Sequence, residues 1–251
     1  MKKTFSKNMK FVKYFAKDFF QYIKENFRSR GFKIDNYSLE AALSRSKWRN
    51  TDVKTVIDVG ASDGRWSLVA KKYFPQAFYF LIEARQEHEA ALQQVKSNYQ
   101  NLDYLISAAG DKVGQCFFDA SDLFGGLASH NPFAQNCITV PITTIDTEVQ
   151  ARKLLPPFLI KLDTHGFEVP ILEGANQTLK DSELVIIEAY NFQLTNDSLK
   201  FYELCDYMEK KGFRCVDLSE PVHRKKDKAF WQVDLFFIPT NNIVFDSNSY
   251  Q

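Results

Sequence analysis

The sequence predicts an α/β fold: a mostly parallel β-sheet with helices on both faces, closed by an antiparallel hairpin near the C-terminus. From Lys54 onward, short runs of β-branched and aromatic residues alternate with amphipathic helical patterns, as in chains built from βα units. The last two runs are joined by a short polar stretch, which is typical of a hairpin. The 251 residues, 45% apolar and 25% charged, suffice for one large globular domain.

Seven runs have the composition and length of strands. Five of them should be parallel: "TVIDVG" (55–60), "FYFLIEA" (78–84), "DYLISAA" (103–109), "FLIKLD" (158–163) and "ELVIIEAY" (183–190). The hairpin is predicted from "FRCVDL" (213–218) and "WQVDLFFI" (231–238). Segment 119–136 is rich in Gly, Ser and Asn without a sustained period, so we predict a long functional loop. Its flanks "QCFF" and "ITVPI" are candidates for additional strands.

Helices are predicted between these strands by apolar residues at helical spacing. The clearest groups are Trp66, Val69, Ala70, Tyr73 and Phe74, and then Ile171, Leu172, Ala175 and Leu179. A further helix, which contains Phe201 and Met208, is expected to end at Gly212 because glycine is favoured just after a helix.

The first 50 residues are predicted to be a basic, aromatic-rich helical extension, and residues 51–251 the main domain. The first 33 residues hold ten Lys and Arg against two acids, a charge of +8, so the remainder carries −7 of the total of +1. Large apolar residues recur between the lysines at helical spacing, at Phe11, Phe15, Phe19, Tyr22 and Ile23. This pattern fits a docking helix with a solvated basic face. The alternative is contact with an anionic membrane or a protein partner; nucleic acid is the least favoured.

The composition also indicates where in the cell the protein is expected to be found. No apolar run approaches the ~18–20 residues of a membrane span, and charged residues interrupt any signal-peptide core. The four cysteines form no C-x-x-C pair, so we expect packing cysteines in a cytoplasmic protein. A peripheral membrane location follows if the basic extension binds lipid.

Acidic residues end four of the predicted strands: Asp58, Glu83, Asp163 and Glu188. Ligands of open α/β sheets bind beyond the carboxyl ends of the strands, and a buried carboxylate is costly unless it is bonded. These four acids therefore predict a shared polar site at one edge of the sheet.

The stretch "DVGASDGRW" follows the first strand and opens a helix. Gly60 and Gly64 would let the backbone turn tightly against a ligand, with Ser62 or Asp63 capping the helix. The G-x-x-x-G spacing differs from the dinucleotide and P-loop motifs, which disfavours a nicotinamide oxidoreductase. Glu83 can accept hydrogen bonds from both hydroxyls of a ribose. Together these features predict a nucleoside site.

Five segments, in order, resemble the motifs of the FkbM family of S-adenosylmethionine-dependent methyltransferases: "VIDVGASDG", "FLIEA", "ISAAGDKVG", "VPITTID" and "FLIKLDTHGFEVPILEGA". The resemblance implies a Rossmann-like class I methyltransferase fold with a seven-stranded sheet and S-adenosyl-L-methionine as cofactor. It also implies transfer of a methyl group to a hydroxyl of a sugar, glycan, lipid or secondary metabolite. The family more often has Glu where His165 stands, and Asn near Ser62.

The resemblance further implies cofactor-binding positions, which are Asp58, Gly60, Ala61, Ser62, Gly64, Glu83, Ala84, Ser107, Ala108 and Asp163. Of these, Asp58, Gly60, Ser62 and Gly64 would surround the methionine end of the cofactor. Glu83 would contact the ribose, and Ser107 and Ala108 would lie near the adenine. Asp163 and His165 would lie close to the methyl group that is transferred.

Removal of the hydroxyl proton needs a base, and the candidates are Asp163, His165 and His130; for each histidine, an ordinary loop residue is the alternative. A buried lysine must be paired, so Lys161 is predicted to contact Glu188 or Glu168. Glu168 is expected to belong to the start of the following helix, where it meets the helix dipole.

Asp163, Glu188 and Asn191 could together hold a divalent cation. We predict no metal, because acids at strand ends are common and Lys161 competes for their charge. The favoured function is an O-methyltransferase. The alternative is a cofactor-binding module of the same fold that acts through a partner protein without catalysis of its own.

Overall fold

The computed structural model describes residues 36–196 and 198–250. The basic segment that ends before Asn36 lies outside the described residues, and so do the predictions made for it. None of the helices in the described ranges combines the length and apolarity of a membrane span. All four cysteines fall within these ranges and are free thiols.

The main sheet has seven strands in the order β3-β2-β1-β8-β9-β11-β10. Its strands are β1 (Thr55–Val59), β2 (Phe78–Glu83), β3 (Leu102–Ile106), β8 (Phe158–Leu162), β9 (Ser182–Tyr190), β10 (Phe213–His223) and β11 (Phe230–Pro239). The first five are parallel, and β11 is antiparallel to both β9 and β10. The predicted α/β class and the five-plus-two strand plan are confirmed.

Strand order reverses at β1, because β2 and β8 lie on its two sides. In open α/β sheets the ligand crevice forms at such a point, beyond the carboxyl ends of the strands. The ends of β1, β2, β8 and β9 are therefore where the fold itself would place a site.

A second sheet of four strands, in the order β4-β7-β5-β6, lies in the segment between β3 and β8. It consists of β4 (Ala108–Ala109), β5 (Gly114–Asp119), β6 (Leu127–Ser129) and β7 (Cys137–Thr143). The candidate strands that flank the long loop are confirmed, and the loop itself contains β6. The predicted strand 103–109 divides at Ser107, because the Ser107 hydroxyl donates to Pro141 O at 3.0 Å and the chain passes into the second sheet.

Six α-helices and three short 3₁₀ turns are found in the described ranges. The helices are α1 (Leu39–Trp48), α2 (Arg65–Ala70), α3 (Glu89–Asn98), α4 (Ile145–Arg152), α5 (Glu168–Glu173) and α6 (Phe201–Lys210), and the 3₁₀ turns are Gln86–His88, Thr178–Asp181 and Ile243–Phe245.

Two predicted helices are shorter than expected. Pro75 disfavours helical geometry at the residue before it, and α2 ends at Ala70 in a series of turns. Helix α5 ends at Gly174, where a Cβ atom would lie 1.9 Å from Gly110 O. The close passage of these two backbones stops the helix there.

Helix α1 belongs to the main domain although the sequence suggested an extension through residue 50. Ala42 and Leu43 are fully buried in the same apolar layer as Val56 of β1. Arg45 and Arg49 both contact the Asp217 carboxylate on β10, at 2.7 and 3.1 Å. These contacts attach α1 to the sheet.

Apolar layers cover both faces of the sheet. Along β1, Ile57 and Val59 pack into one layer and Val56 into the other, as expected when side chains alternate along a strand. The buried strands carry apolar residues on both sides, which is typical of a parallel sheet covered by helices.

Candidate functional site

A cavity of about 290 Å³ opens at the carboxyl ends of β1, β2, β8 and β9. This volume is near the lower end of the ~300–1,000 Å³ that is usual for small-molecule sites. Its lining combines the glycine-rich loop after β1, the end of β2, the second sheet, and the turn after β8. The predicted site residues in the lining are Gly60, Ala61, Ser62, Glu83, Ala84, Ser107, Ala108, Asp163, His165 and Glu188.

The loop after β1 is built from left-handed backbone positions, at Gly60 (φ +76°), Ser62 (φ +51°) and Gly64 (φ +81°). A Cβ atom on Gly60 would lie 2.0 Å from Asp163 O, and Asp163 N donates to Val59 O at 3.0 Å. Only glycine allows this approach without strain. The loop after β1 and the end of β8 are therefore in direct backbone contact.

The start of α2 differs from the prediction. Its N-cap is Gly64, without a side-chain cap, whereas Ser62 or Asp63 was expected to cap it. The Asp63 carboxylate instead accepts from Arg65 N at 3.2 Å and pairs with the Arg65 guanidinium at 2.6 Å. The Ser62 hydroxyl is thereby left for another partner.

Glu83 is buried at the end of β2, and two backbone amides hold its carboxylate. Ser62 N donates to Oε2 at 2.7 Å, and Arg85 N donates to Oε1 at 2.8 Å. Because an ionised carboxylate offers about four acceptor sites, one remains on each oxygen. The two amides fix the carboxylate, and the cavity leaves it able to accept two further donors.

Two buried polar atoms in the cavity lining, Ser62 Oγ and Trp66 Nε1, have no hydrogen-bond partner among the residues that the structure describes. Unpaired buried groups are costly, so each calls for an explanation. A polar ligand in this cavity would supply the missing partners. Together with Glu83, these atoms fit a nucleoside cofactor at this end of the cavity.

The long loop forms one wall of the cavity through Leu123 and Phe124. Arg85 Nη1 donates to Asp122 O at 3.0 Å, and His88 Nε2 lies 3.0 Å from Leu123 O. The His88 and Phe124 rings are 5.3 Å apart. The predicted functional loop thus reaches the site, but the anchors Arg85 and His88 were not identified from the sequence.

At the other end of the cavity, Asp163, His165 and Glu188 lie together. His165 Nε2 is 3.6 Å from Asp163 Oδ1 and 3.4 Å from Glu188 Oε2. His165 itself is left-handed (φ +53°). Glu168, the first residue of α5 as expected, accepts from Gly166 N at 2.7 Å and so fixes this turn.

Lys161 is fully buried beneath this cluster, and its partner differs from both predicted residues. Its ammonium donates to Asp234 Oδ1 on β11 at 2.9 Å and lies 3.9 Å from Asp163 Oδ2. Neither Glu188 nor Glu168 is its partner, because β11 inserts beside β9 and brings Asp234 closer. Burial opposes the charged form, but the carboxylates around Lys161, Asp234 above all, raise its pKa above the ordinary value.

Burial and the nearby Asp163 carboxylate raise the pKa of Glu188 to about 8. The Tyr190 hydroxyl donates to its Oε2, and the Gln232 side-chain amide donates to its Oε1. Glu188 therefore has a fixed orientation toward His165. Its surroundings penalise an isolated negative charge.

The sequence profile of the Methyltransferase FkbM domain matches residues 58–215, more than half of the chain. The chain belongs to the FkbM methyltransferase family. The predicted resemblance is confirmed, and the family and fold are those of S-adenosylmethionine-dependent methyltransferases. No curated protein sequence matches this FkbM-family chain.

Several solved structures resemble this chain at low sequence identity. Methyltransferase FkbM from Methylobacillus flagellatus KT is 17% identical with a TM-score of 0.47, and the match covers 73% of this chain and 43% of that one. A SAM dependent methyltransferase from Aquifex aeolicus is 15% identical with a TM-score of 0.42, over 80% and 92%. The fibrillarin pre-rRNA processing protein of Methanococcus jannaschii is 13% identical with a TM-score of 0.48, over 75% and 67%. This chain thus spans less than half the length of the FkbM structure.

Four residues that were predicted for this FkbM-family site do not line the cavity. Asp58 lies within β1, and its buried carboxylate accepts from Ser67 Oγ of α2 at 2.6 Å. Gly64 packs toward Leu81 and α3. His130 Nε2 lies 3.0 Å from Asp111, and the Asn191 side-chain amide donates to Phe230 O at 3.3 Å. The three side chains that could share a metal ion are Asp163, His165 and Glu188, so His165 takes the place predicted for Asn191.

Proposed function

We propose that this protein is an S-adenosylmethionine-dependent O-methyltransferase whose acceptor is a hydroxyl on a small molecule or glycan. One observation carries the proposal: a single cavity joins a nucleoside-type half, around Ser62 and Glu83, to a cluster of proton acceptors, Asp163, His165 and Glu188. A methyl donor and an acceptor hydroxyl could thus be held side by side, as a bimolecular displacement requires.

The first half would hold the cofactor. Glu83 has one free acceptor site on each oxygen for the ribose hydroxyls, and its two backbone amide donors hold it in a fixed orientation. Ser62 Oγ and Trp66 Nε1 supply polar contacts that are otherwise unmet. S-adenosylmethionine, when bound, supplies an electrophilic methyl group on a sulfonium ion.

The second half would bind the acceptor hydroxyl and take its proton, because a neutral alcohol is a weak nucleophile. Asp163, whose side chain is 37% exposed, is the most accessible member, whereas Glu188 is 11% exposed. Two carboxylates and an imidazole around one point give the proton an acceptor without movement of the backbone. His165 has a left-handed backbone, and the next residue, Gly166, donates its N–H to the Glu168 carboxylate. Both features hold the three side chains in place before an acceptor binds.

Acceptor choice would depend on the wall formed by Leu123 and Phe124, which are 36% and 45% exposed. An apolar wall opposite a charged cluster suits an acceptor with both an apolar face and hydroxyl groups. Sugars, glycans, lipids and secondary metabolites meet this description. A membrane or protein contact through the basic N-terminal segment remains a prediction.

The test has two readouts. Calorimetry should show binding of S-adenosylhomocysteine, and incubation with methyl-labelled S-adenosylmethionine and a panel of sugars, glycolipids and polyols should label an acceptor. Asp163→Asn and His165→Gln should each lower transfer by at least ~10²-fold while leaving S-adenosylhomocysteine affinity nearly unchanged.

His130→Gln is the matched control, because that histidine also contacts a carboxylate but lies outside the cavity lining. It should retain full transfer. A protein that does not bind S-adenosylhomocysteine would refute the proposal. A protein that binds it but methylates no acceptor would favour the alternative of a cofactor-binding module.

A further inference from the structure

We propose that Asp163, His165 and Glu188 form a binding site for one divalent first-row metal ion, Mn²⁺ or Zn²⁺, with an open position toward the cavity. Each side chain offers one ligand atom, and these atoms all lie within 4.8 Å of one another. The ion-binding site stands on this geometry alone. The role given to the ion below rests on the proposed methyl transfer.

The distances favour a shared ion over direct hydrogen bonds. A single atom, His165 Nε2, faces both carboxylates at 3.6 and 3.4 Å, longer than the ~2.7–2.9 Å of a charge-assisted hydrogen bond. Ligands held ~2.0–2.1 Å from a tetrahedral ion lie about 3.4 Å from one another. The cluster therefore has the spacing of ligands around a common centre.

The second oxygen of each carboxylate faces a cationic or hydrogen-bond donor group of the protein. Lys161 lies 3.9 Å from Asp163 Oδ2, while Asp163 Oδ1 faces His165. Gln232 donates to Glu188 Oε1, while Glu188 Oε2 faces His165 and also accepts from the Tyr190 hydroxyl. Outer contacts of this kind orient ligating carboxylates in metal sites.

The local charge also suits a dication. Three acidic side chains, Asp163, Glu188 and Asp234, lie around one ammonium, Lys161, so acidic groups outnumber the cation here. Lys161 is committed to Asp234, its nearer partner at 2.9 Å. A divalent ion between Asp163 and Glu188 would add positive charge where acidic side chains are in excess.

The ligand types narrow the choice of metal. An imidazole with two carboxylates suits Zn²⁺ or Mn²⁺, whereas Mg²⁺ and Ca²⁺ prefer oxygen ligands throughout. Three protein ligands beside a cavity leave one position open, as in catalytic metal sites. An acceptor hydroxyl at that position would lose its proton more readily.

The experiment uses untagged full-length protein that has been treated with chelator and then exchanged into metal-free buffer at pH 7.5. Mn²⁺ binding is followed by the electron paramagnetic resonance signal of the free ion, and Zn²⁺ binding by competition. We expect one ion per chain. Zn²⁺ should also shift the Nε2 resonance of a single histidine in a nitrogen-15 spectrum, and His165→Gln should remove that resonance.

Asp163→Asn, His165→Gln and Glu188→Gln should each weaken Mn²⁺ binding at least ~10-fold, a loss that removing even an outer-shell contact can cause. His130→Gln, at the other histidine–carboxylate contact, should bind Mn²⁺ like the wild type. Calorimetry with S-adenosylhomocysteine checks that each variant is folded. Because three variants are measured, the test still works if one of them does not fold.

The proposal is overturned if the wild type binds neither Mn²⁺ nor Zn²⁺ at an ion concentration of about 1 mM, which would mean a binding free energy weaker than ~4 kcal/mol. It is also overturned if all three variants bind Mn²⁺ as tightly as the wild type does. The outcome is separable from that of the proposed function. A protein that binds Mn²⁺ but not S-adenosylhomocysteine would refute methyl transfer and keep the metal site. A protein that binds S-adenosylhomocysteine but neither metal ion would refute the metal site and leave methyl transfer standing.

Discussion

Replacement of Asp58 by Asn should make the protein's stability less sensitive to pH. Asp58 is 1% exposed, and burial raises its pKa to about 7 from the ordinary value of 3.8, although the Ser67 hydroxyl favours its charged form. The folded protein therefore holds a proton on Asp58 more tightly than the unfolded chain does. Its favourable contribution is complete below pH 3.8 and is lost as the pH rises through about 7.

The size of the effect follows from these two pKa values. Between pH 5 and 8 the wild type should lose ~2–3 kcal/mol through this group, at 1.36 kcal/mol per unit of pKa difference. Asp58→Asn has no proton to lose and keeps an oxygen that can accept from Ser67 Oγ. Relative to the wild type, the variant should therefore gain ~2–3 kcal/mol in free energy of unfolding over this interval.

Urea unfolding followed by circular dichroism at pH 5, 6, 7 and 8 measures this difference directly. Ser67→Ala provides the second arm: without the hydroxyl that stabilises the anion, the pH dependence should become steeper than in the wild type. A stability difference between Asp58→Asn and wild type that stays constant from pH 5 to 8 would show that Asp58 is ionised throughout, and the burial argument would fail.

Three other substitutions test separate parts of the structure. Glu83→Ala should weaken S-adenosylhomocysteine binding at least ~10-fold by calorimetry, because it removes charge-assisted hydrogen bonds worth ~1.5–3 kcal/mol each; unchanged affinity would place the nucleoside elsewhere. Asp234→Asn should lower the free energy of unfolding by ~3–5 kcal/mol, since Lys161 loses its nearest buried partner; a loss below ~1 kcal/mol in urea titrations would contradict that pairing. Phe124→Ala should weaken binding of the methyl acceptor about fivefold through ~1 kcal/mol of lost apolar contact and leave S-adenosylhomocysteine affinity unchanged, and an unaltered KM for the acceptor would exclude this wall from the acceptor site.

The strands could be predicted because each is a short run of residues that suit a buried sheet, bounded by turns. Their ends were also predictable, since Asp163 and Glu188 close the apolar runs of β8 and β9. The position of β11 between β9 and β10 has no local signal. A hairpin pattern shows that two strands pair but not which of them meets the rest of the sheet.

That missing information explains the error at Lys161. Its partner Asp234 lies 73 positions away in sequence, and only the insertion of β11 brings the two together. The two histidine candidates show the same limit. His130 and His165 both occupy polar loops, yet the second sheet takes one to Asp111 and the turn after β8 takes the other to Glu188.

The cavity wall was partly predictable. The loop 119–136 was expected to be functional because it is long and lacks a period, and its residues Leu123 and Phe124 do line the cavity. Arg85 and His88 anchor it through backbone carbonyls of the loop. Since every residue has a carbonyl, the sequence carries no sign of such an anchor.

The contact between Gly60 and Asp163 limits which substitutions this chain can accept between the two halves of the cavity. The loop that would cradle the methyl donor and the residue that would face the acceptor share one backbone junction, with no room for a side chain at Gly60. The spacing between the two reactants is thus set by main-chain atoms that substitution cannot easily alter. In this chain, substitutions in the wall around Phe124 would be expected to change the acceptor that the proposed reaction uses, whereas this junction would keep the spacing of the two halves of the cavity.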